Sequence, residues 1–267
     1  MKKSDSLTAI GLAVGIGMLT MAMMSGSSLI IFWDLPSVFI TVGGSFCALL
    51  ITYSLSDIKK MGVLFIQAFK ENTFSGVGII QEFANLSRKA RREGLLSLED
   101  EISQIEDAFL KKGLQMVIDG IEPETIKDIL ELEIDEMQNR HMNGAKMYQV
   151  WGGYAPGFGM IGTLIGLVQM MQNLSDAATI AQGMGKALLT TFYGSLLANL
   201  FCMPVAANLK AKSEKEVEIR NMILEGVLSI QSGVNPRIVE EKLLTYLSPS
   251  DRLAYLEANA ESSEGVA

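Results

Sequence analysis

Four long apolar runs alternate with polar stretches along this chain, and they determine its predicted architecture. The runs are Leu7–Met24, Leu35–Leu55, about Tyr148–Met171 and about Ala187–Leu209, and none contains Asp, Glu, Lys or Arg. Each is close to the length of about 20 apolar residues that crosses a bilayer as a helix. We therefore predict an all-α integral membrane protein with four transmembrane helices.

The first run has an alternative interpretation as a secretory signal, because Lys2 and Lys3 precede it. It is long for a signal, and no small-x-small cleavage site follows it. We therefore expect the first run to remain in the protein as a membrane span.

Positive charges near the ends of the runs predict the orientation of the chain. The short loops at 26–34 and 172–182 contain neither Lys nor Arg, and Lys186 at the rim of the fourth run is a mild exception. The other ends carry Lys2, Lys3, Lys59, Lys60, Lys146, Lys210, Lys212 and Lys215. We expect both termini and the large segment 56–147 to be cytoplasmic.

The segment 56–147 is rich in charge and is predicted to form a cytoplasmic helical domain. Its first helix would begin at a Ser75 cap, run to Arg92 and stop at Gly94. A second would open at Ser97, with three acidic residues in its first turn, and end at Gly120. A third, from Pro123, would continue into the third span.

The fourth span is also predicted to continue as a helix into the cytoplasm, over 210–250. Its helical pattern persists to Gly233, and Asn235 caps a further amphipathic helix. The predicted domains are thus 1–55 for spans one and two, 56–147, 148–209 for spans three and four, and 210–250. We expect the polar tail 251–267 to be disordered.

Composition excludes several classes of function. The net charge of −8 and the isoelectric point near 4.9 argue against nucleic-acid binding. Cys47 and Cys202 lie in apolar runs without metal-ligand spacing, and His141 is the only histidine, so we expect no metal and no cofactor. The sequence has no catalytic constellation, which predicts that the protein is not an enzyme.

Small residues recur at helical spacing in the third and fourth runs, which indicates close helix packing in lipid. The rows contain Ala155, Gly159 and Thr163; Gly162 and Gly166; and Thr190, Gly194 and Ala198. Thr163 and Thr191 also suit an ion path, together with the backbone carbonyl that Pro156 leaves unpaired.

An ion path through a membrane usually contains an ionisable side chain. No apolar run of this chain has a carboxylate. If the protein moves ions, a partner must supply the acid.

Three stretches resemble the MotA/PomA family of flagellar motor stator subunits. They are "APGFGMIGTLIGL" at 155–167, "LLTTFYGSLLANLFCMPVAANL" at 188–209 and "RREGLLSLEDEI" at 91–102. The four-span layout with a large loop between spans two and three is also similar. The resemblance covers nearly the whole chain up to about residue 250.

This resemblance implies an inner-membrane stator. Five subunits would surround two copies of a MotB-type partner, which has one span, an ion-carrying aspartate and a peptidoglycan-binding domain. Ion flow, either H⁺ or Na⁺, would turn the ring and drive the rotor through FliG.

The resemblance also implies roles for particular residues. Arg91 and Glu99 match charged positions that face the rotor, and Arg88, Lys89 and Arg92 are further expected contacts. Pro156 and Pro204 match two prolines that accompany conformational change. The ion pathway is expected to involve Thr163, Thr191, Ala155 and Pro156, and the helix-packing positions are Gly159, Gly162, Gly166, Gly194 and Ala198.

Several alternatives stay open at this point. The threonine pair suits sodium coordination as well as proton-conducting water, and we favour protons. An energiser of the ExbB/TolQ type would use the same ion-driven logic, although such proteins resemble three-span relatives. A passive membrane scaffold is compatible with the composition.

Overall fold

The computed structural model describes residues 6–70, 76–172 and 174–264. Lys2, Lys3 and the predicted Ser75 cap lie outside these described residues. The described chain divides into two compact units, one within Met1–Glu71 and Arg140–Lys212 and the other within Asn72–Asn139 and Ser213–Ala267.

The first unit contains the apolar helices. They are α1 (Ser6–Met24), α2 (Leu35–Val38), α3 (Gly44–Thr52) and α4 (Leu55–Ala68), followed by the later parts of α8 (Pro123–Met171), by α9 (Ala177–Leu196) and by the start of α10 (Met203–Gln231). A 3₁₀ turn, Leu29–Phe32, precedes α2.

Two π-helical segments make continuous spans out of these pieces. Phe39–Gly43 joins α2 to α3, and Leu197–Cys202 joins α9 to α10. The second segment has a local cause, because Pro204 has no N–H to donate to the carbonyl one turn earlier, inside the segment.

Three stretches are long and apolar enough to cross a membrane: Leu29–Thr52, Pro123–Met171 and Ala177–Gln231. Among the residues searched, the first apolar run forms a shorter helix, Thr8–Met24. The count of four spans therefore stays a prediction for α1.

A buried cluster holds the first unit together. Leu49 and Ala68 are fully buried, and Tyr148 donates a 2.7 Å hydrogen bond to the Met61 carbonyl. The Lys212 ammonium donates to the Ala68 and Lys70 carbonyls at 2.6 Å each. This lysine therefore satisfies carbonyls that the end of α4 leaves without helical partners.

The second unit is built from shorter helices. They are α5 (Gly76–Glu93), the 3₁₀ turn Leu95–Leu98, α6 (Glu99–Gln104), α7 (Ala108–Ile118), α11 (Pro236–Leu244) and α12 (Pro249–Glu264), with the first part of α8 and the last part of α10. Phe83, Leu114, Ile126, Ile223 and Leu243 are each at most 2% exposed and form the centre of its core.

The structure differs from the predicted single helix between Ser97 and Gly120. Asp107 interrupts it, since its carboxylate accepts a 2.8 Å hydrogen bond from the Leu110 amide and caps α7. The Ser97 hydroxyl does not cap a helix but donates to the Gly94 carbonyl at 2.7 Å.

The structure also differs from the expectation of a disordered tail after residue 250, because α12 runs from Pro249 to Glu264. Ser248 caps α12 by accepting from the Asp251 amide at 3.2 Å. Tyr255 is 3% exposed and donates a 2.7 Å hydrogen bond to Glu240. One buried aromatic residue therefore anchors a helix of polar composition.

Candidate functional site

Two hydroxyls face each other where α8 and α9 pack. Thr163 Oγ1 lies 2.6 Å from Thr191 Oγ1, 3.0 Å from the Ala187 carbonyl oxygen and 3.1 Å from the Gly159 carbonyl oxygen. Thr191 Oγ1 lies 3.2 Å from the same Ala187 oxygen. Each hydroxyl has one proton to donate, so the pair keeps oxygen lone pairs that a cation or a water molecule can use.

The hydroxyl pair is accessible at the surface of this chain. Thr191 is exposed and Thr163 is partly buried. Both lie on apolar helices, where oxygen ligands are scarce. The arrangement can therefore coordinate a small cation or order water for proton transfer, but it has no ionisable side chain of its own.

Close helix packing brings the two hydroxyls together. A Cβ atom added at Gly159 would lie 3.0 Å from the Thr190 carbonyl oxygen. One added at Gly166 would lie 2.5 Å from the Gly183 carbonyl oxygen. At Gly162 the nearest atom would be the Thr190 side chain at 2.4 Å. The backbones thus approach so closely that no side chain fits between them.

Gly194 and Ala155 form a second close contact between α9 and α8. A Cβ atom added at Gly194 would lie 2.6 Å from the Ala155 carbonyl oxygen and 3.2 Å from Pro156 Cα. Ala155 is fully buried and Ala198 is 3% exposed. Ala155 therefore packs against α9 and is not exposed to a path in this chain as Thr191 is.

Pro204 does not lie with the hydroxyl pair. It is exposed and lines a cavity of about 300 Å³ with residues of α1, among them Thr8 and Leu12. In this cavity Asn208 donates a 3.0 Å hydrogen bond to the Thr8 hydroxyl.

Two polar contacts that brace α9 have no sequence signal. The Thr41 hydroxyl donates to the Thr190 carbonyl at 3.3 Å inside the unit. The Tyr193 hydroxyl donates to the Phe32 carbonyl at 2.5 Å and accepts from the Asp34 amide at 3.0 Å. These pairs are separated by 149 to 161 positions along the chain, so no local pattern predicts them.

The second unit gathers the predicted basic residues around one groove. The groove has a volume of about 840 Å³, and Arg88, Lys89, Arg91 and Arg92 line it. The groove is also lined by acidic and amide residues that the sequence pattern did not predict, namely Glu82, Asn85, Glu101 and Gln104.

The basic residues of the groove are not equally available for a partner. Lys89 donates to Glu101 at 2.8 Å, and this hydrogen bond raises the pKa of Lys89. Arg88 donates to the Ala84 carbonyl at 3.0 Å. Arg91 is exposed and makes no ion pair with the residues that the structure describes. Arg91 is thus the lining cation best placed to meet an acidic group.

Glu99 occupies a different position. It is the first residue of α6, is exposed, and does not belong to the described lining of the groove. Arg91 therefore lines the groove, whereas Glu99 directly follows the 3₁₀ turn Leu95–Leu98.

The sequence model of the MotA/TolQ/ExbB proton channel family matches residues 101–222. This match and the apolar helices define a membrane-spanning ion-channel subunit. "Motility protein A" of Borreliella burgdorferi is 48% identical over 244 residues, which are 91% of this chain and 94% of that protein. "Chemotaxis protein PomA" of Vibrio alginolyticus is 34% identical over 93% of this chain and 97% of that protein.

Solved structures give the same result. The flagellar MotAB stator complex from Bacillus subtilis matches with a TM-score of 0.87 and 35% identity, over 92% of this chain and 98% of that chain. The chain therefore belongs to the motility protein A family. The predictions of an all-helical membrane protein and of a flagellar stator subunit are confirmed.

Family membership has direct consequences for the earlier alternatives. The chain is a multi-pass inner-membrane protein with a role in ion transport, which is not an enzymatic role. The flagellar relatives decide against an energiser of the ExbB/TolQ type and against a passive scaffold.

Proposed function

We propose that this chain forms an ion channel with a MotB-type one-span partner and converts ion flow into torque. The observation that carries the proposal is the Thr163–Thr191 hydroxyl pair on helices whose apolar runs have no carboxylate. Ion pathways through membranes are usually marked by an ionisable side chain, and the apolar runs of this chain have none, so we assign the ionisable aspartate to the partner. The partner also anchors the stator to peptidoglycan.

The proposed assembly is a ring of five copies of this chain around two partner chains. Small residues that bring α8 and α9 together leave Thr191 exposed, where a partner helix can reach it. We favour protons as the driving ion, with sodium as the alternative. One elementary charge that crosses about 100 mV supplies roughly 2.3 kcal/mol.

The proposed output of the motor is a contact between the second unit and FliG. Its cytoplasmic location, like that of both termini, rests on the positive charges near the spans. Arg91 and Glu99 would make the main contacts, with Arg88, Lys89 and Arg92 beside them. Exposed charge pairs contribute only about 0–1 kcal/mol each, which suits a contact that must form and break repeatedly.

Two prolines are proposed to allow the helices to bend during the cycle. Pro156 lies inside α8, next to a close approach of α9, and Pro204 follows a π-helical segment. Each removes one backbone hydrogen bond, so bending there breaks fewer bonds than elsewhere in the span.

The test compares T163A and T191A with a matched control, T20A. Thr20 lies on the apolar helix α1 and donates within its own helix, to Gly17 at 2.9 Å. The variants are expressed with the one-span partner, and single-motor torque is measured at varied sodium and with a protonophore. We expect T191A to reduce torque at least several-fold and T20A to leave it unchanged.

The same assay identifies the ion. Torque that is indifferent to sodium and abolished by the protonophore supports the proton stator. Torque that follows sodium and survives the protonophore supports the sodium alternative. Wild-type torque in both T163A and T191A would overturn the role of the hydroxyl pair.

A further inference from the structure

A second cavity, in the first unit, has the chemistry of an anion site beside an apolar surface. It has a volume of about 670 Å³, within the range of roughly 300–1,000 Å³ that small-molecule sites occupy. Its lining includes three cationic side chains, Lys60, Arg140 and Lys146, and one acid, Asp57. The ion path and the rotor groove do not use any of these residues.

The cavity forms because two helices face each other at helical spacing. The face of α4 presents Lys60, Val63, Leu64 and Gln67, and the face of α8 presents Arg140, Asn143, Gly144 and Met147. Both sets follow the spacing i, i+3, i+4 and i+7. A Cβ atom at Gly144 would lie 2.7 Å from Leu64 Cδ1, so this glycine lets the two helices approach.

The charges in the cavity are only partly neutralised within the chain. Lys60 donates to Asp57 at 3.1 Å. Hydrogen bonds from Ser54 and then from Lys60 lower the pKa of Asp57, so this carboxylate is ionised at neutral pH and faces Lys60. Arg140 and Lys146 are exposed and make no ion pair with the part of the chain that the structure describes. Two cations are therefore left for an external anion.

The surroundings favour a lipid over a soluble anion. Val63, Leu64 and Met147 add apolar lining. On α4, Leu55 is 71% exposed, Val63 58% and Ile66 57%. Only two residues, Tyr53 and Ser54, separate α4 from the apolar helix α3, which ends at Thr52. Tyr53 lies in the cavity wall, where its hydroxyl can donate a hydrogen bond. An anionic headgroup would meet the cations while its acyl chains cover the exposed apolar side chains.

We propose that this cavity, the α4–α8 basic pocket, binds the headgroup of an anionic phospholipid such as phosphatidylglycerol. Each Lys or Arg near a membrane surface strengthens the binding of anionic lipid roughly 5-fold. Removal of two cations is therefore expected to weaken binding roughly 10- to 30-fold. This inference goes beyond the proposed function, and its test does not use motility.

The experiment compares the double variant R140Q/K146Q with the control K59Q/K70Q. The control has the same change in charge and alters exposed lysines that do not line the pocket. The full complex with its partner is purified in mild detergent, and bound phospholipid is counted by native mass spectrometry while phosphatidylglycerol is titrated. Phosphatidylcholine is titrated in parallel as the neutral headgroup.

We expect the wild type and K59Q/K70Q to retain phosphatidylglycerol but not phosphatidylcholine. We expect R140Q/K146Q to bind phosphatidylglycerol roughly 10- to 30-fold more weakly. Equal retention in both double variants would overturn the proposal. Displacement of the lipid by millimolar inorganic phosphate would also overturn it, because the site would then recognise a free anion. So would loss of subunits from R140Q/K146Q, since the pocket would then be a contact between copies.

Discussion

Substitution of Gly194 by alanine tests whether the close approach of α8 and α9 is required. A Cβ atom at this position would lie 2.6 Å from the Ala155 carbonyl oxygen and 3.2 Å from Pro156 Cα. Both neighbours are backbone atoms of α8, so no side chain can rotate away. The two helices must instead separate by at least about 0.4 Å to restore a 3.0 Å contact.

The cost of this separation follows from two opposing effects. Overpacking of a well-packed site costs about 1–3 kcal/mol. Alanine in a helix is more favourable than glycine by about 1 kcal/mol. The G194A variant is therefore expected to lose up to about 2 kcal/mol of stability. Gly17→Ala on α1 has nothing within 4 Å of the added Cβ and is expected to gain up to about 1 kcal/mol.

The assay compares the two alanine variants with the wild type as purified complexes in detergent. Thermal unfolding midpoints should fall for G194A and stay equal or rise for G17A. Because the hydroxyls of Thr163 and Thr191 are only 2.6 Å apart across the same interface, G194A should also reduce ion flux and swimming. A G194A complex that matches G17A in midpoint and in swimming would refute the argument from close packing.

Two further predictions concern the second unit. E99K should weaken swimming, and reversal of a charge on the rotor should restore part of it, because the proposed contact depends on charge. The control is E241K, at an exposed position of α11. If no reversed rotor charge restores swimming, the result counts against a direct contact. Burial and then the Asp107 carboxylate raise the pKa of Glu82 above its ordinary value of 4.5, so the folded state binds this proton more tightly than the unfolded state does. The stability that the protonated side chain contributes is therefore present below pH 4.5 and is lost as pH rises through the raised pKa of the folded state. E82Q should therefore raise the thermal midpoint at pH 7 and flatten its dependence on pH, and a lower midpoint at pH 7 would contradict this reasoning.

The amino-acid sequence by itself determined the membrane architecture and the candidate residues. Apolar runs without charge predict helices in lipid whatever their partners, because exposed backbone polar groups are not tolerated there. Spacing placed Gly159 and Thr163 on one helix face and Thr190 and Gly194 on another. Capping signals predicted that α5 runs to Arg92, one residue short of its end at Glu93, and that α8 begins near Pro123. These properties depend on residues that are close in the chain.

Only the tertiary structure decided which of these faces meet. The 2.6 Å approach of Thr163 and Thr191 depends on the packing of α8 against α9. The hydrogen bond from Tyr255 to Glu240, which anchors α12, likewise depends on the packing of α12 against α11. The α4–α8 basic pocket joins Lys60 to Arg140 and Lys146, which lie about 80 positions further along the chain. Local patterns cannot encode such contacts, because each face is compatible with many partners until the chain packs and excludes the others.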